Sequence, residues 1–242
     1  MTVARFAPAL VLLCAATALG QDRFVRHYHE RVALFERENR ALSRDDHVVL
    51  VGDSLTEGWK HSRRVERYLP TLAPRVLNRG ISADRVGAPR GVLSRMGPSI
   101  FDTRPAVVVL LVGVNQIHRD GSGIPGASRH YEEIVRQVRA RLPRVRLICV
   151  TTPPARDRYE GFTTAIRTYN RLVAEIAARH GAELLDLHRL FRDSSGRLRQ
   201  ELSQDGLHFN SEGYRIYGAA LERHLASPAQ PATPPPPPPP PP

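Results

Sequence analysis

Cysteine is almost missing from this 242-residue chain, which holds only Cys14 and Cys149. Cys14 falls in an N-terminal apolar stretch that reads as removable, so the processed chain keeps one thiol and forms no internal disulfide. That excludes the disulfide-stapled class of small secreted domains. Cys149 lies in an apolar run and reads as inert packing. Aromatic residues make up 6% of the chain, with a single Trp. Once core strands and helix faces are assigned, no long apolar segment remains to line a fatty-acid tunnel. Lysine is scarcer still. Lys60 stands alone, yet Lys and Arg together outnumber Asp and Glu by 35 to 24, a net charge of +11. The arginines are scattered and do not alternate with aromatics, which argues against a nucleic-acid partner. A cation of this size still attracts anionic envelope polymers at low salt.

The apolar stretch Phe6 to Leu19 is too short to span a membrane comfortably, so no transmembrane anchor is expected. It follows Arg5 and ends in Ala18-Leu19-Gly20 before Gln21, the pattern of a cleavable signal peptide over residues 1–20. A secreted or periplasmic location follows as an expectation. Val11-Leu12-Leu13 lacks the small residues expected before a lipid-modified cysteine, so Cys14 is not read as an anchor. At the other end, Pro228, Pro231 and the run Pro234 to Pro242 predict a disordered, polyproline II tail over 228–242. It reads as a spacer, a ligand for a proline-binding partner, or an extension without function. Residues 21–227 are enough for one domain with a full core.

Within that domain strands alternate with helices. Asp22 to Leu42 carries apolar residues at Phe24, Val25, Tyr28, Val32, Leu34 and Phe35, an amphipathic first helix. Strands are expected at about 47–52, 75–78, 105–112, 145–151 and 183–187, with helices near 83–96, 128–142, 159–180 and 211–225. The alternation predicts an α/β fold with a parallel sheet covered on both faces.

Chemistry concentrates where those strands end. His47 to Trp59, HVVLVGDSLTEGW, breaks from a β-branched run into Asp-Ser, which places Ser54 on a strand-to-helix turn with its hydroxyl exposed. Asn78 to Asp84 (NRGISAD) and Val112 to Gln116 (VGVNQ) follow later strands. Asp205-Gly206-Leu207-His208 sets a carboxylate three residues from an imidazole, a spacing at which the acid fixes the ring's tautomer. Taken singly, Ser54 could be a helix cap, Gly80 a bend, Asn115 a turn cap and Asp205-Gly206 an ordinary turn pair. Taken together they bring Ser, Gly, Asn and Asp/His to one sheet edge, where open α/β folds keep their sites.

Block by block, GDSLTEGW, NRGISAD, GVNQ and DGLH resemble the GDSL or SGNH hydrolases over about residues 47 to 225. The resemblance implies a flavodoxin-like three-layer sandwich of five strands. It also implies Ser54 as nucleophile, His208 as base and Asp205 as its orienter. The N–H groups of Ser54 and Gly80 and the Asn115 amide would form the oxyanion hole, without metal or cofactor. Gln116 departs from the family, many members of which carry Asp there. The chemistry is self-consistent. An alcohol needs a base within hydrogen-bond reach, glycine lets backbone approach closely, and an asparagine amide donates without a charge.

The expected function is a serine esterase acting on short acyl, above all acetyl, oxygen esters through an acyl-enzyme. Carbohydrate esters come first and a lipid-type esterase resembling platelet-activating-factor acetylhydrolase second. A catalytically silent envelope-binding module is the reading from another class, and the Ser54, Asp205 and His208 set argues against it. Gly121 to Gly126 matches a dinucleotide glycine pattern but not at a strand end, so a flexible loop above Asn115 is expected instead. His27 and His29 are two apart on a helix and point apart, against a metal pair. Trp59 reads as packing beside the nucleophile turn, with an acyl or sugar contact as the alternative.

Overall fold

In a computed structural model the described residues are 9–118 and 121–233. Five strands, β1 (His47–Gly52), β2 (Val76–Gly80), β3 (Pro105–Leu111), β4 (Arg146–Val150) and β5 (Glu183–Leu185), pair in parallel in the order β2-β1-β3-β4-β5. Every residue of β1 is buried, as a strand covered on both faces must be. Its side chains alternate between two cores. Val49 and Val51, with Val108, Leu110, Leu147 and Cys149, pack on helices α3 (Ile124–Arg141) and α4 (Thr163–Arg179). Val48 and Leu50, with Val107, Val109, Ile148 and Val150, pack on α5 (Ser211–Ala226) and the segment after β1. The three-layer α/β/α sandwich expected from the sequence is present.

The first helix, α1 (Ala9–Arg40), begins well before Asp22, so the amphipathic segment continues a longer helix. Residues 1–8, part of the expected signal peptide, lie outside the described residues. Tyr28 and Phe35 of α1 are buried with Ile81, and Val32 packs beside them. Arg31 donates to the carbonyls of Asn78 and Gly80 (3.2–3.4 Å). Because β2 is an edge strand, α1 lies along one border of the sheet.

Two expectations need correction. The helix near 83–96 is absent. Pro89 lacks the N–H a helix interior needs, and the segment folds back on itself through Val92 N–H to Arg85 C=O (2.9 Å) and Leu93 N–H to Val86 C=O (3.0 Å). Only a 3₁₀ turn at Val92–Arg95 and one short turn at Met96–Ser99 form. The domain also does not stop at 227. Ala232 donates its N–H to Ala182 C=O (2.8 Å) and packs against the core, so the chain stays attached through this residue. Pro234 to Pro242 lie outside the described residues. Among the described residues no helix is long and apolar enough to cross a membrane.

Candidate active site

β2 and β3 flank β1 on opposite sides, so the connections after β1 and β3 diverge and leave a crevice at their C-terminal ends. Into it β1 delivers Ser54, the first residue of α2 (Ser54–Glu57). The preceding Asp53 caps that helix, its Oδ1 accepting from Leu55 N–H at 3.0 Å. Complete burial pushes the Asp53 carboxyl up to about 7. Trp59 is buried against Tyr214 and Tyr217 of α5, the packing role expected of it.

The other half of the machinery comes from the turn before α5. Gly206 holds φ +88, and a Cβ there would lie 2.3 Å from Arg156 O, so only glycine fits. The turn folds Asp205 back onto the backbone, with Oδ1 accepting from Leu207 N–H (3.0 Å) and His208 N–H (2.8 Å). Its Oδ2 meets His208 Nδ1 at 2.7 Å, and His208 Nε2 lies 3.0 Å from Ser54 Oγ. Although partial burial opposes it, the hydrogen bonds from the His208 ring and backbone and from Leu207 hold the Asp205 carboxyl well below its ordinary range. An ionised Asp205 keeps the proton on Nδ1 and leaves Nε2 to accept from the serine hydroxyl.

Asn115, beyond β3, donates Nδ2–H to Asp84 C=O at 2.9 Å, which leaves its second amide hydrogen for another acceptor. Gly80 is placed differently from the expectation. Its N–H donates to Asn78 Oδ1 (2.9 Å), so it is not offered to the crevice. A Cβ on Gly80 would fall 2.1 Å from Glu57 N, so its glycine lets β2 and α2 touch. Ala83, adjacent to Asp84, is exposed. Its N–H has no partner among the described residues, and its φ of +62 is left-handed.

Glu57 is a buried neighbour of Ser54 that sequence reasoning passed over. Buried behind Ser54, it accepts from Ser82 N–H (2.6 Å) and Ser82 Oγ–H, and contacts Lys60 and, at 3.0 Å, His27 of α1. Burial works against its charge, but the Lys60, Ser82 and His27 contacts outweigh it and draw the carboxyl down to about 2. It thereby ties the nucleophile helix, the 82–84 turn and α1 together. The only signal was a glutamate within GDSLTEGW. Gln116 Oε1 accepts from Val86 and Gly87 N–H (3.2 Å each), bracing the segment that follows the 82–84 turn. His27 therefore contacts a carboxylate, while His29 edges onto Tyr28. The glycine segment after residue 120 runs directly into α3, which starts at Ile124, so its second half is helix where a loop was expected.

Residues 50–216 match the model of the GDSL-like lipase/acylhydrolase family. Among curated proteins none matches the sequence significantly. Solved structures do. A Streptococcus pneumonia protein provisionally named a platelet activating factor is 20% identical, with 88% of this chain and 99% of that one covered at a TM-score of 0.76. A GDSL-like lipase from Bacteroides thetaiotaomicron is 20% identical over 81% of this chain and 97% of that one, TM-score 0.68. An acetyl xylan esterase is 19% identical over 73% and 98%, TM-score 0.62. At these identities the likeness concerns the fold.

Proposed function

The chain belongs to the GDSL-like lipase/acylhydrolase family, and from that premise we propose that it is a secreted serine esterase that removes short acyl groups, acetyl above all, from oxygen esters of carbohydrates. The observation that carries this is the chain of contacts from Asp205 Oδ2 through the His208 ring to Ser54 Oγ, at 2.7 and 3.0 Å. Ser54 Oγ attacks the ester carbonyl carbon as its proton passes to His208 Nε2. Negative charge gathers on the former carbonyl oxygen, where the Ser54 N–H and the free Asn115 amide hydrogen are the available donors. Each such donor is worth about 3–4 kcal/mol when deleted. The C–O bond to the alcohol then breaks, and His208 returns its proton to the departing oxygen. Water, deprotonated by the same ring, attacks the acyl-Ser54 carbonyl and releases the acid.

Two observations favour acetyl esters of hydrated alcohols over lipids. Among the described residues only Phe24 (52%) and Leu190 (40%) are large apolar side chains with substantial exposure. The hollow beside the base is lined by Arg64, Gln204, Asp205, His208, Asn210 and Ser211, with Phe209 as its one apolar residue and that side chain nearly buried, a lining that offers little to an acyl chain needing about 0.8 kcal/mol of burial per methylene. The acetyl xylan esterase of the same fold is in keeping with this reading. Secretion rests on the composition of residues 1–20. The test is hydrolysis of p-nitrophenyl esters: kcat/KM falls from acetate to octanoate, a phosphonate probe labels Ser54, and Ser54→Ala loses activity by several orders of magnitude while staying folded. A maximum at octanoate promotes the lipid reading, and an active Ser54→Ala removes the serine mechanism.

A further inference from the structure

The 82–84 turn has two sides. Its inner side meets Asn115 through the Asp84 carbonyl. Its outer side borders two hollows against α1, of about 660 and 400 Å³, with Ser82 and Phe24 lining both. Sharing Ser82 and Phe24, they form one cleft along α1 that reaches Asp84, whose carbonyl Asn115 bonds.

The arginines of this region fall into two groups. Those beneath the cleft are engaged: Arg31 holds the β2 carbonyls, Arg79 contacts Glu38 and Asn39, and Arg95 pairs with Asp84 at 2.7 Å. Arg23 and Arg26 on one wall and Arg85 and Arg90 on the other are exposed, and none has an ion-pair partner among the described residues. The acidic groups in the cleft do not balance them. Glu57 is already met by Lys60, His27 and Ser82, and Asp84 by Arg95, which leaves Glu30. Between the two cationic walls stands Phe24, the most exposed large apolar side chain among the described residues.

Unpaired guanidinium groups are matched to carboxylate or phosphate oxygens, which they can bind in a fork. An exposed ring between them offers a flat surface for the C–H face of a sugar. We propose that this cleft holds the alcohol half of the substrate, and that this half is an anionic glycan, its ring on Phe24 and its acidic groups on Arg26, Arg85 and Arg90. This rests on the esterase reading above and names the substrate class for the same site.

The test compares acetylated oligogalacturonide, acetylated xylo-oligosaccharide and an acetylated glycerol-phosphate oligomer, with wild type and the triple variant Arg26→Gln/Arg85→Gln/Arg90→Gln. At low salt the wild type prefers an acidic substrate over the neutral one by about tenfold or more in kcat/KM. The ratio shrinks at 0.5 M salt, where the Debye length falls to roughly 4 Å. The triple variant collapses the ratio through KM, with kcat retained. Whether galacturonide or glycerol phosphate is preferred distinguishes carboxylate from phosphate as the source of the charge. A wild-type ratio near one, or a ratio the variant does not move, overturns the proposal. Calorimetry of Ser54→Ala with unacetylated oligogalacturonide and with glycerol-phosphate oligomer separates the two readings. Arginine-dependent binding of either by a protein that hydrolyses no ester removes the esterase and keeps the cleft, whereas ester hydrolysis with no charge preference keeps the esterase and removes the cleft.

Discussion

At the scale of single residues, the site spends buried charge close to its nucleophile. Asp53 lies directly before Ser54, and its carboxyl is pushed up to about 7 by burial, far above its ordinary value in an unfolded chain. Stability from this group is therefore fully present at acid pH and is lost as pH rises through the carboxyl range toward 7, because the unfolded state releases the proton first. Asp53→Asn removes that dependence while keeping an oxygen for the Leu55 N–H. Its melting temperature relative to wild type rises between pH 5 and pH 8, as read by thermal melts across that range, and a constant difference would contradict the assignment. On the proposed mechanism Asn115 bonds the oxygen that gains charge only in the transition state. Asn115→Ala lowers kcat by roughly 10²- to 10³-fold with a smaller change in KM; steady-state kinetics showing a pure KM effect would make it a substrate-binding residue.

At the scale of elements, the contact between β2 and α2 depends on a missing side chain. Gly80→Ala drives a Cβ into the Glu57 backbone, and a loss of roughly 1–3 kcal/mol is expected in denaturant titration. Ala83→Gly has the opposite sign. It relieves a left-handed alanine and stabilises by about 1 kcal/mol. This pair shows where sequence reading stopped. The strand ends that present Ser54 and Asn115 were legible, because apolar runs broken by small polar residues mark them, and the Asp205–His208 turn was legible from the three-residue spacing of its acid and imidazole. The role of Gly80 within NRGISAD was not. Gly80 looked like the residue needing close approach to substrate, whereas its close approach is to Glu57, and the sequence carries no mark of Asn78 claiming its N–H. The segment 83–96 misled for a related reason. Its apolar spacing suits a helix, but Gly87, Pro89 and Gly91 let it fold back, and the buried Arg95 ties it to the carbonyls of Arg79 and Gly52. Glu57 was hidden because a glutamate on a short helix ordinarily faces solvent.

At the scale of the whole molecule, the architecture followed from the alternation of segments, while the extent of the domain did not. Proline-rich composition suggested that everything past Ser227 hangs free, yet Ala232 bonds Ala182 and packs on the core. Truncation after Ser227 should therefore cost about 1 kcal/mol, or roughly 2–4 °C in Tm, by calorimetry. Truncation after Thr233 should cost nothing, since a run of prolines has no N–H to donate. Equal melting temperatures for the two truncations would show that Ala232 contributes nothing. The attachment of Ala232 at β5 has a counterpart across the molecule, where Arg31 of α1 occupies the Asn78 and Gly80 carbonyls of β2. An open parallel sheet has two borders, and an uncovered border is a template on which a second chain can add a strand. Here the outer strand on each side is met by one of the chain's own terminal segments. Trimming either end thus exchanges a covered sheet border for one with a growing edge, and the first sign of damage at the termini would be self-association rather than loss of the Asp205–His208 turn.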